Sequence, residues 1–105
     1  MKKTQERVAV FVKRNGLETD VPHRMLDVIS ELGEVAKEVL KGSDYGSKGF
    51  VPNEEFQGEL GDVLFSLMCI ANSTGVDLET AIETALNKYE KRVVEAGSPS
   101  SSNES

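Results

Sequence analysis

The hydrophobic residues of this chain recur mainly at helical spacing, which predicts four helices separated by short polar segments. The predicted helices run from about Thr4 to Arg14, from Asp20 to Lys41, from Asn53 to Thr74 and from Asp77 to Ala96. Asn53 and Asp77 are typical N-cap residues, and Gly75 and Gly97 are typical of the position that follows a helix C-terminus. No alternating run of β-branched residues lies between turn residues, so the pattern predicts an all-α fold.

The second half of the third predicted helix, from Val63 to Ala71, is apolar nearly all round. A helix of this kind should be buried on nearly every side, and three partner helices from so short a chain would not surround it. We therefore expect a four-helix bundle that is completed by oligomerisation, as a homodimer or a homotetramer.

The length of 105 residues fits one domain. We assign residues 1–96 to it and expect residues 97–105, which are small and polar, to form a disordered tail. The single cysteine, Cys69, lies in an apolar run and should behave as a small buried hydrophobe.

The formal net charge of −6 argues against polymeric nucleic acid or an anionic membrane as the partner. A small phosphorylated substrate stays compatible with this charge, because a metal ion can bridge two sets of negative groups. The N-terminal residues lack the apolar run of a signal peptide, and no apolar stretch is long enough to span a bilayer. We therefore expect a cytoplasmic protein.

Two nearly identical tetrapeptides, Glu-Leu-Gly-Glu at 31–34 and Glu-Leu-Gly-Asp at 59–62, carry the candidate chemistry. Acidic residues three positions apart lie on the same side of a helix. In an antiparallel hairpin of the second and third helices, the two pairs stand at similar distances from the connector, so four carboxylates should meet. The glycines at positions 33 and 61 are expected to let the two helices approach closely.

From the residues alone, two interpretations of these acids stay open. On the second helix they belong to an acidic stripe that is typical of solvated surface, formed by Asp27, Glu31, Glu34 and Glu38. However, the stripe contains no basic residue, although a solvated face normally mixes both signs. The alternative is a site for a hard divalent cation such as Mg²⁺, which prefers oxygen ligands. Zinc is disfavoured, because the cluster has no thiolate and the only histidine, His23, precedes it and should lie at the surface.

The pattern Glu31-x-x-Glu34, followed after 24 residues by Glu59-x-x-Asp62, resembles the signature of MazG-like nucleotide pyrophosphohydrolases. This family belongs to the all-α NTP pyrophosphatase superfamily. The resemblance continues through Gly75–Glu79 and ends at Asn87–Arg92, and it covers roughly residues 4 to 95.

The resemblance implies Mg²⁺-dependent hydrolysis of a nucleoside triphosphate, an NTP or a dNTP, to the monophosphate and pyrophosphate, in nucleotide-pool house-cleaning. Mn²⁺ is the expected substitute for Mg²⁺. The metal ligands that the resemblance implies are Glu31, Glu34, Glu59 and Asp62. We assign the proton-accepting catalytic role to Glu34. The phosphate contacts that the resemblance implies are Asn87, Lys88 and Arg92.

The sequence leaves several alternatives open. Ser30 stands where many relatives have an acid, which leaves the identity of the general base open. The basic residues near position 90 also suit a solvated helix end, where they interact well with the helix dipole. In place of an enzyme, the chain could be a non-catalytic helical oligomer that binds a nucleotide or a protein partner. It could also be a Mg²⁺ or Ca²⁺ buffer, although an EF-hand loop is absent.

Overall fold

The structure, a computed structural model of the chain, describes residues 1–97. Its helices are α1 (Lys2–Arg14), α2 (Val21–Gly42), α3 (Glu54–Thr74) and α4 (Leu78–Ala96). No strand occurs in this part of the chain, so the all-α prediction is confirmed. The predicted disordered tail lies outside the described residues except for Gly97, which ends α4.

Short-range hydrogen bonds explain where the helices begin and end. The side chains of Asp20, Asn53 and Asp77 accept hydrogen bonds from first-turn backbone N–H groups at 2.9, 2.9 and 3.0 Å, as N-caps do. Gly75 and Gly97 end α3 and α4 with φ of 71° and 73°. This left-handed backbone conformation is one that glycine adopts without steric cost.

An antiparallel hairpin of α2 and α3 is the centre of the fold and has the most extensive helix–helix interface. The connector after α2 folds back onto it, because the ring of Phe50 packs against Gly42 and, edge to face, against Phe56 at 4.9 Å between ring centroids. The helix α1 packs across α3, where Phe11 and Phe65 make an edge-to-face contact. The helix α4 contacts mainly α1 and contains no buried residue.

The buried core is small and lies on α2 and α3, with Val28, Met68, Cys69 and Ala71 as its buried apolar residues among those described. The prediction that Cys69 is buried is confirmed, and burial raises the pKa of its thiol. Large apolar side chains elsewhere remain exposed, so one chain by itself does not cover them. None of the described helices is long and apolar enough to cross a membrane.

The buried side of α2 lies between its apolar and acidic sides, so that Val28 is buried but the centre of the apolar side is not. Its apolar residues Leu26, Ile29 and Leu32 are 50–63% exposed. Its acidic side instead includes Glu38, which is buried, and Glu31, which is half-buried. The acidic stripe is therefore not simply a solvated face, although Asp27 is exposed.

The predicted role of Gly33 and Gly61 in close helix packing is wrong for the single chain. A Cβ atom added at either glycine would meet no atom within 4 Å. The close approach occurs at Gly42, where an added Cβ would lie 2.6 Å from the Phe50 ring and 2.9 Å from the carbonyl oxygen of Val51. The physical reason is the folded-back connector, whose contact with α2 the helical pattern does not reveal.

Candidate functional site

Three carboxylates from the two central helices converge at one point. Glu31 of α2 and Glu59 and Asp62 of α3 each offer an oxygen atom, and these three atoms lie within 4.8 Å of one another. Glu31 and Glu59 are half-buried, whereas Asp62 is exposed. The two residues of α3 share a side because they are three positions apart. Because every donor is a carboxylate oxygen, the group suits a hard divalent cation.

The electrostatic environment of Glu59 is strongly negative. Its pKa lies above the ordinary value of 4.5, first because of desolvation and then because of neighbouring negative charges. In decreasing order of effect, those charges belong to Glu34, Asp62, Glu31 and Glu38. No cationic side chain is among the charges that act on Glu59, so a bound cation would relieve the repulsion.

Glu34 lies beside this group rather than within it. Its carboxylate is exposed and is not one of the three oxygens that converge within 4.8 Å. Its charge nevertheless has the largest electrostatic effect on Glu59, so the two side chains are near each other across the hairpin. Glu34 is thus open to solvent at the edge of the cluster.

The residues expected to contact phosphate lie on α4, away from the carboxylates within one chain. Lys88 Nζ and Arg92 Cζ stand 4.9 and 5.7 Å from the centroid of the Tyr89 ring, on one side of the helix. Asn87 precedes Lys88 and is turned from it by about 100° around the helix axis. Neither cation is among the charges that raise the pKa of Glu59, and α4 contacts mainly α1 rather than the α2–α3 hairpin.

Arg24 was not expected from the sequence pattern, and it is buried where α1, α2 and α3 meet. Its Nη2 donates to the carbonyl oxygen of Leu17 at 2.6 Å, and its Nη1 lies 3.4 Å from Asp27 Oδ2. Its guanidinium also lies over the Phe65 ring, 5.9 Å from the centroid. Arg24 therefore holds the α1–α2 loop onto α2. The only signal in the sequence was its position seven residues before Glu31, on the same side of the helix.

A small cavity adjoins Arg24 at the same end of the hairpin. It measures about 260 Å³ and lies between α1, the α1–α2 loop, α2 and α3. Val12, Arg24, Cys69 and Asn72 are among its lining residues. Its lining residue Cys69 lies about 10 Å from Asp62 along the axis of α3, since the two are seven residues apart and each residue rises ~1.5 Å.

Residues 22–95 match the MazG nucleotide pyrophosphohydrolase domain. The matched range includes both acidic tetrapeptides and most of the chain. The chain belongs to this family. In this chain, α1, the loop after it and Val21 lie before the matched range.

The chain is also similar to a protein of Bacillus subtilis. The protein YpjD of Bacillus subtilis (strain 168) is 39% identical to this MazG domain over 71 residues, which are 65% of this chain and 62% of YpjD. The chain therefore matches less than two thirds of the length of that relative.

Two solved structures share the fold. A crystal structure of the Bacillus-conserved MazG protein, a nucleotide pyrophosphohydrolase, has a TM-score of 0.71 at 34% identity, over 84% of this chain and 86% of that protein. A crystal structure of YpjD from Bacillus subtilis has a TM-score of 0.72 at 33% identity, over 88% of this chain and 94% of that one. These matches confirm the MazG-like helical fold.

Proposed function

We propose that this MazG domain hydrolyses a nucleoside triphosphate, an NTP or a dNTP, to the monophosphate and pyrophosphate. The observation that carries the proposal is the convergence of Glu31, Glu59 and Asp62 inside the region that matches a nucleotide pyrophosphohydrolase family. The crystal structure of a relative described as a nucleotide pyrophosphohydrolase supports it as well. The cellular role that we propose is the removal of unwanted nucleotides from the pool.

The metal that we propose is Mg²⁺, with Mn²⁺ as a substitute. The donor set fits, because it consists of carboxylate oxygens and includes neither thiolate nor imidazole. Glu31, Glu59 and Asp62 would hold the ion, with Glu34 beside them. Bound there, the metal would supply charge neutralisation for the triphosphate and the leaving pyrophosphate.

The proton acceptor that we propose is Glu34. A general base must keep a carboxylate that the metal does not saturate and that a water molecule can reach. Glu34 meets both conditions, since it is exposed and lies outside the group of three converging oxygens. The position of Ser30, on the exposed side of α2, offers no carboxylate for this task.

The assembly that we propose is a homodimer or homotetramer, which would complete the helical bundle. Its support is an exposed apolar stripe on α4, at helical spacing, where each residue is 43–49% exposed. The stripe consists of Ile82, Leu86, Tyr89 and Val93. Asn87, Lys88 and Arg92 would contact phosphate when α4, from the same chain or from a second copy, lies next to the carboxylates of Glu31, Glu59 and Asp62.

The test is a screen of all common NTPs and dNTPs with Mg²⁺, in which pyrophosphate and monophosphate are measured together. We expect at least one nucleotide to release pyrophosphate in a single step. Asp62→Asn and Glu59→Gln should remove most of this activity, whereas Glu83→Gln, the same change of charge on α4, should retain it. Sequential release of single phosphates, or no release from any nucleotide, would mean that the domain has another function.

A further inference from the structure

The side chains one helical turn from the converging carboxylates combine a further carboxylate with aromatic rings. Asp27 lies about 6 Å before Glu31 along α2, and Phe65 lies ~4.5 Å beyond Asp62 along α3, at ~1.5 Å per residue. Because the two helices are antiparallel, both steps lead towards the same end of the hairpin. At this end Phe11 of α1 meets Phe65 edge to face, with 6.2 Å between the ring centroids.

A buried arginine holds Asp27 in place. Arg24 Nη1 lies 3.4 Å from Asp27 Oδ2, and the guanidinium is fixed in turn by the carbonyl oxygen of Leu17 and by the Phe65 ring. The Arg24 side chain is only 11% exposed, whereas that of Asp27 is 52% exposed. Asp27 Oδ1 accepts no hydrogen bond from residues 1–97. The pair therefore presents a positioned carboxylate oxygen to solvent.

Phe11 supplies an exposed aromatic surface at the same end of the hairpin. It remains 50% exposed although its ring contacts Phe65. Nucleobases stack on exposed aromatic rings, and this stacking tolerates every base because each has a π-face. A carboxylate is more selective, because it only accepts hydrogen bonds. Together, an aromatic ring and a fixed acceptor are suited to bind a heterocycle and to distinguish it by its hydrogen-bond donors.

The charges indicate which part of a nucleotide would lie at this end. The triphosphate belongs at the metal-binding carboxylates, where a bound cation offsets the repulsion between negative groups. Asp27 would repel a phosphate, and the positive charge of Arg24 is already paired with it. The base is uncharged and is joined to the phosphates through the sugar, so it is the part of the nucleotide that fits beside Asp27 and Phe11.

We propose that Asp27 accepts a hydrogen bond from an exocyclic amino group of the nucleobase while the base stacks on Phe11. This inference rests on the proposed function and narrows its substrate class. The preferred bases are cytosine or adenine, and their carbonyl counterparts, uracil and hypoxanthine, are disfavoured. A carbonyl oxygen in place of the amino group faces the carboxylate as a second acceptor, and a site built to hydrogen-bond a donor discriminates against an analogue that lacks it.

The competing explanation is that Asp27 serves only to neutralise Arg24. The two explanations differ in what Asp27→Asn does, since this change keeps the shape of the side chain and replaces one acceptor by a donor. If Asp27 contacts the base, the substitution changes the ratio between two nucleotides that differ only in an amino or a carbonyl group. If Asp27 only neutralises Arg24, the substitution affects both nucleotides equally.

The experiment measures kcat/KM for pyrophosphate release with Mg²⁺ from two pairs of nucleotides, CTP with UTP and ATP with ITP. We expect the wild type to prefer the amino member of at least one pair by about tenfold or more. Asp27→Asn should abolish this preference, whereas Glu83→Gln, a neutralised carboxylate on α4, should keep it. Phe11→Leu should raise KM for both members of a pair alike, because stacking does not depend on the base. Far-UV circular dichroism checks that each variant is helical, and if Asp27→Asn fails to fold, Asp27→Glu, which displaces the carboxylate, should also lose the preference.

The proposal is overturned if the wild type uses both members of each pair equally well, or if Asp27→Asn keeps the wild-type preference. An equal loss for both members in Asp27→Asn also overturns it. Calorimetric titration with the non-hydrolysable α,β-imido analogues of the same nucleotides separates this inference from the proposed function. If the analogues bind with a preference that depends on Asp27 but no nucleotide is hydrolysed, the base contact stands and the proposed function fails. If hydrolysis occurs without such a preference, the reverse holds, and if no nucleotide binds, both fail.

Discussion

Gln5 of α1 and Asn72 of α3 hydrogen-bond to each other in both directions. Gln5 Nε2 donates to Asn72 Oδ1 at 3.0 Å, and Asn72 Nδ2 donates to the backbone oxygen of Gln5 at 3.1 Å. Gln5 Nε2 also donates to the carbonyl oxygen of Val76 at 2.7 Å, and its Oε1 accepts from the backbone N–H of Leu78 at 3.0 Å. One buried side chain thus joins α1, α3 and the beginning of α4.

Replacement of Gln5 by alanine should lower the free energy of unfolding by about 2–3 kcal/mol, because it leaves partly buried backbone groups of the α3–α4 turn unsatisfied. Urea denaturation measures this change. Thr84→Ala removes an exposed side-chain hydrogen bond within α4 and should change stability by no more than about 0.5 kcal/mol. Equal effects of the two substitutions would show that the Gln5 contacts contribute little.

The helical glycines should respond in opposite directions to alanine. At Gly42 the new methyl group would lie 2.6 Å from the Phe50 ring, and such overpacking should cost about 1–3 kcal/mol. At Gly33 and Gly61 the space is open, so the greater helix propensity of alanine should raise the free energy of unfolding by up to about 1 kcal/mol. Thermal or urea denaturation of the three variants measures these changes in stability. Destabilisation at Gly33 or Gly61 would instead reveal that a second copy packs there.

Metal binding should depend on Asp62. A metal that binds only the folded state adds RT ln(1 + [L]/Kd), about 2.7 kcal/mol at a hundredfold excess over Kd. Mg²⁺ should therefore raise the melting temperature of the wild type more than Na⁺ does at equal ionic strength. Asp62→Asn should melt at least as high as the wild type without metal, because one repelling charge is gone, yet gain much less from Mg²⁺. Identical responses of the two proteins would argue against a metal at Asp62.

Glu59 should make the metal-free protein less stable at neutral pH than at mildly acidic pH. Its pKa in the folded protein is raised above 4.5, so the folded state binds the proton more tightly than the unfolded state does. The charged carboxylate therefore destabilises the folded state at pH 7. This destabilisation disappears as the pH falls through the raised pKa towards 4.5. In EDTA, Glu59→Gln should be more stable than the wild type at pH 7.

The difference between Glu59→Gln and the wild type should vanish below pH 4.5, where both side chains are neutral. Denaturation at a series of pH values, with Glu83→Gln as the control of equal charge, measures this dependence. Saturating Mg²⁺ should reverse the order at pH 7, because it stabilises the charged carboxylate of the wild type. A pH-independent difference between the two proteins would contradict the electrostatic origin of the effect.

The apolar stripe of α4 should hold the oligomer together. Leu86→Glu places a charge in the middle of the stripe and should shift the protein to monomers in analytical ultracentrifugation, because burial of an unpaired charge is costly. Thr84→Glu adds the same charge on the opposite side of α4 and should leave the mass unchanged. If Leu86→Glu sediments as the wild type does, the subunits associate through another surface.

Much of the secondary structure was determined locally and could be predicted from the sequence. Asp20, Asn53 and Asp77 cap the helices that follow them, and Gly75 and Gly97 end helices in the left-handed conformation. Each of these signals acts through hydrogen bonds or backbone sterics within a few residues. The repeated spacing of the acidic residues likewise predicted that the tetrapeptides meet in a hairpin, since offsets along two antiparallel helices follow from the helical rise alone.

Only the tertiary structure decided which side of α2 faces α3. A helical pattern indicates that a helix has an apolar side and an acidic side, but it does not indicate which of them a neighbouring helix covers. Here the acidic side includes the buried Glu38 while Leu26 is exposed. For the same reason, the local sequence does not determine the contact between Gln5 and Asn72, which are 67 residues apart. Nor does it determine the packing of Phe50 on Gly42. Such contacts arise from how whole helices are placed, which depends on the summed packing of the chain rather than on any short segment.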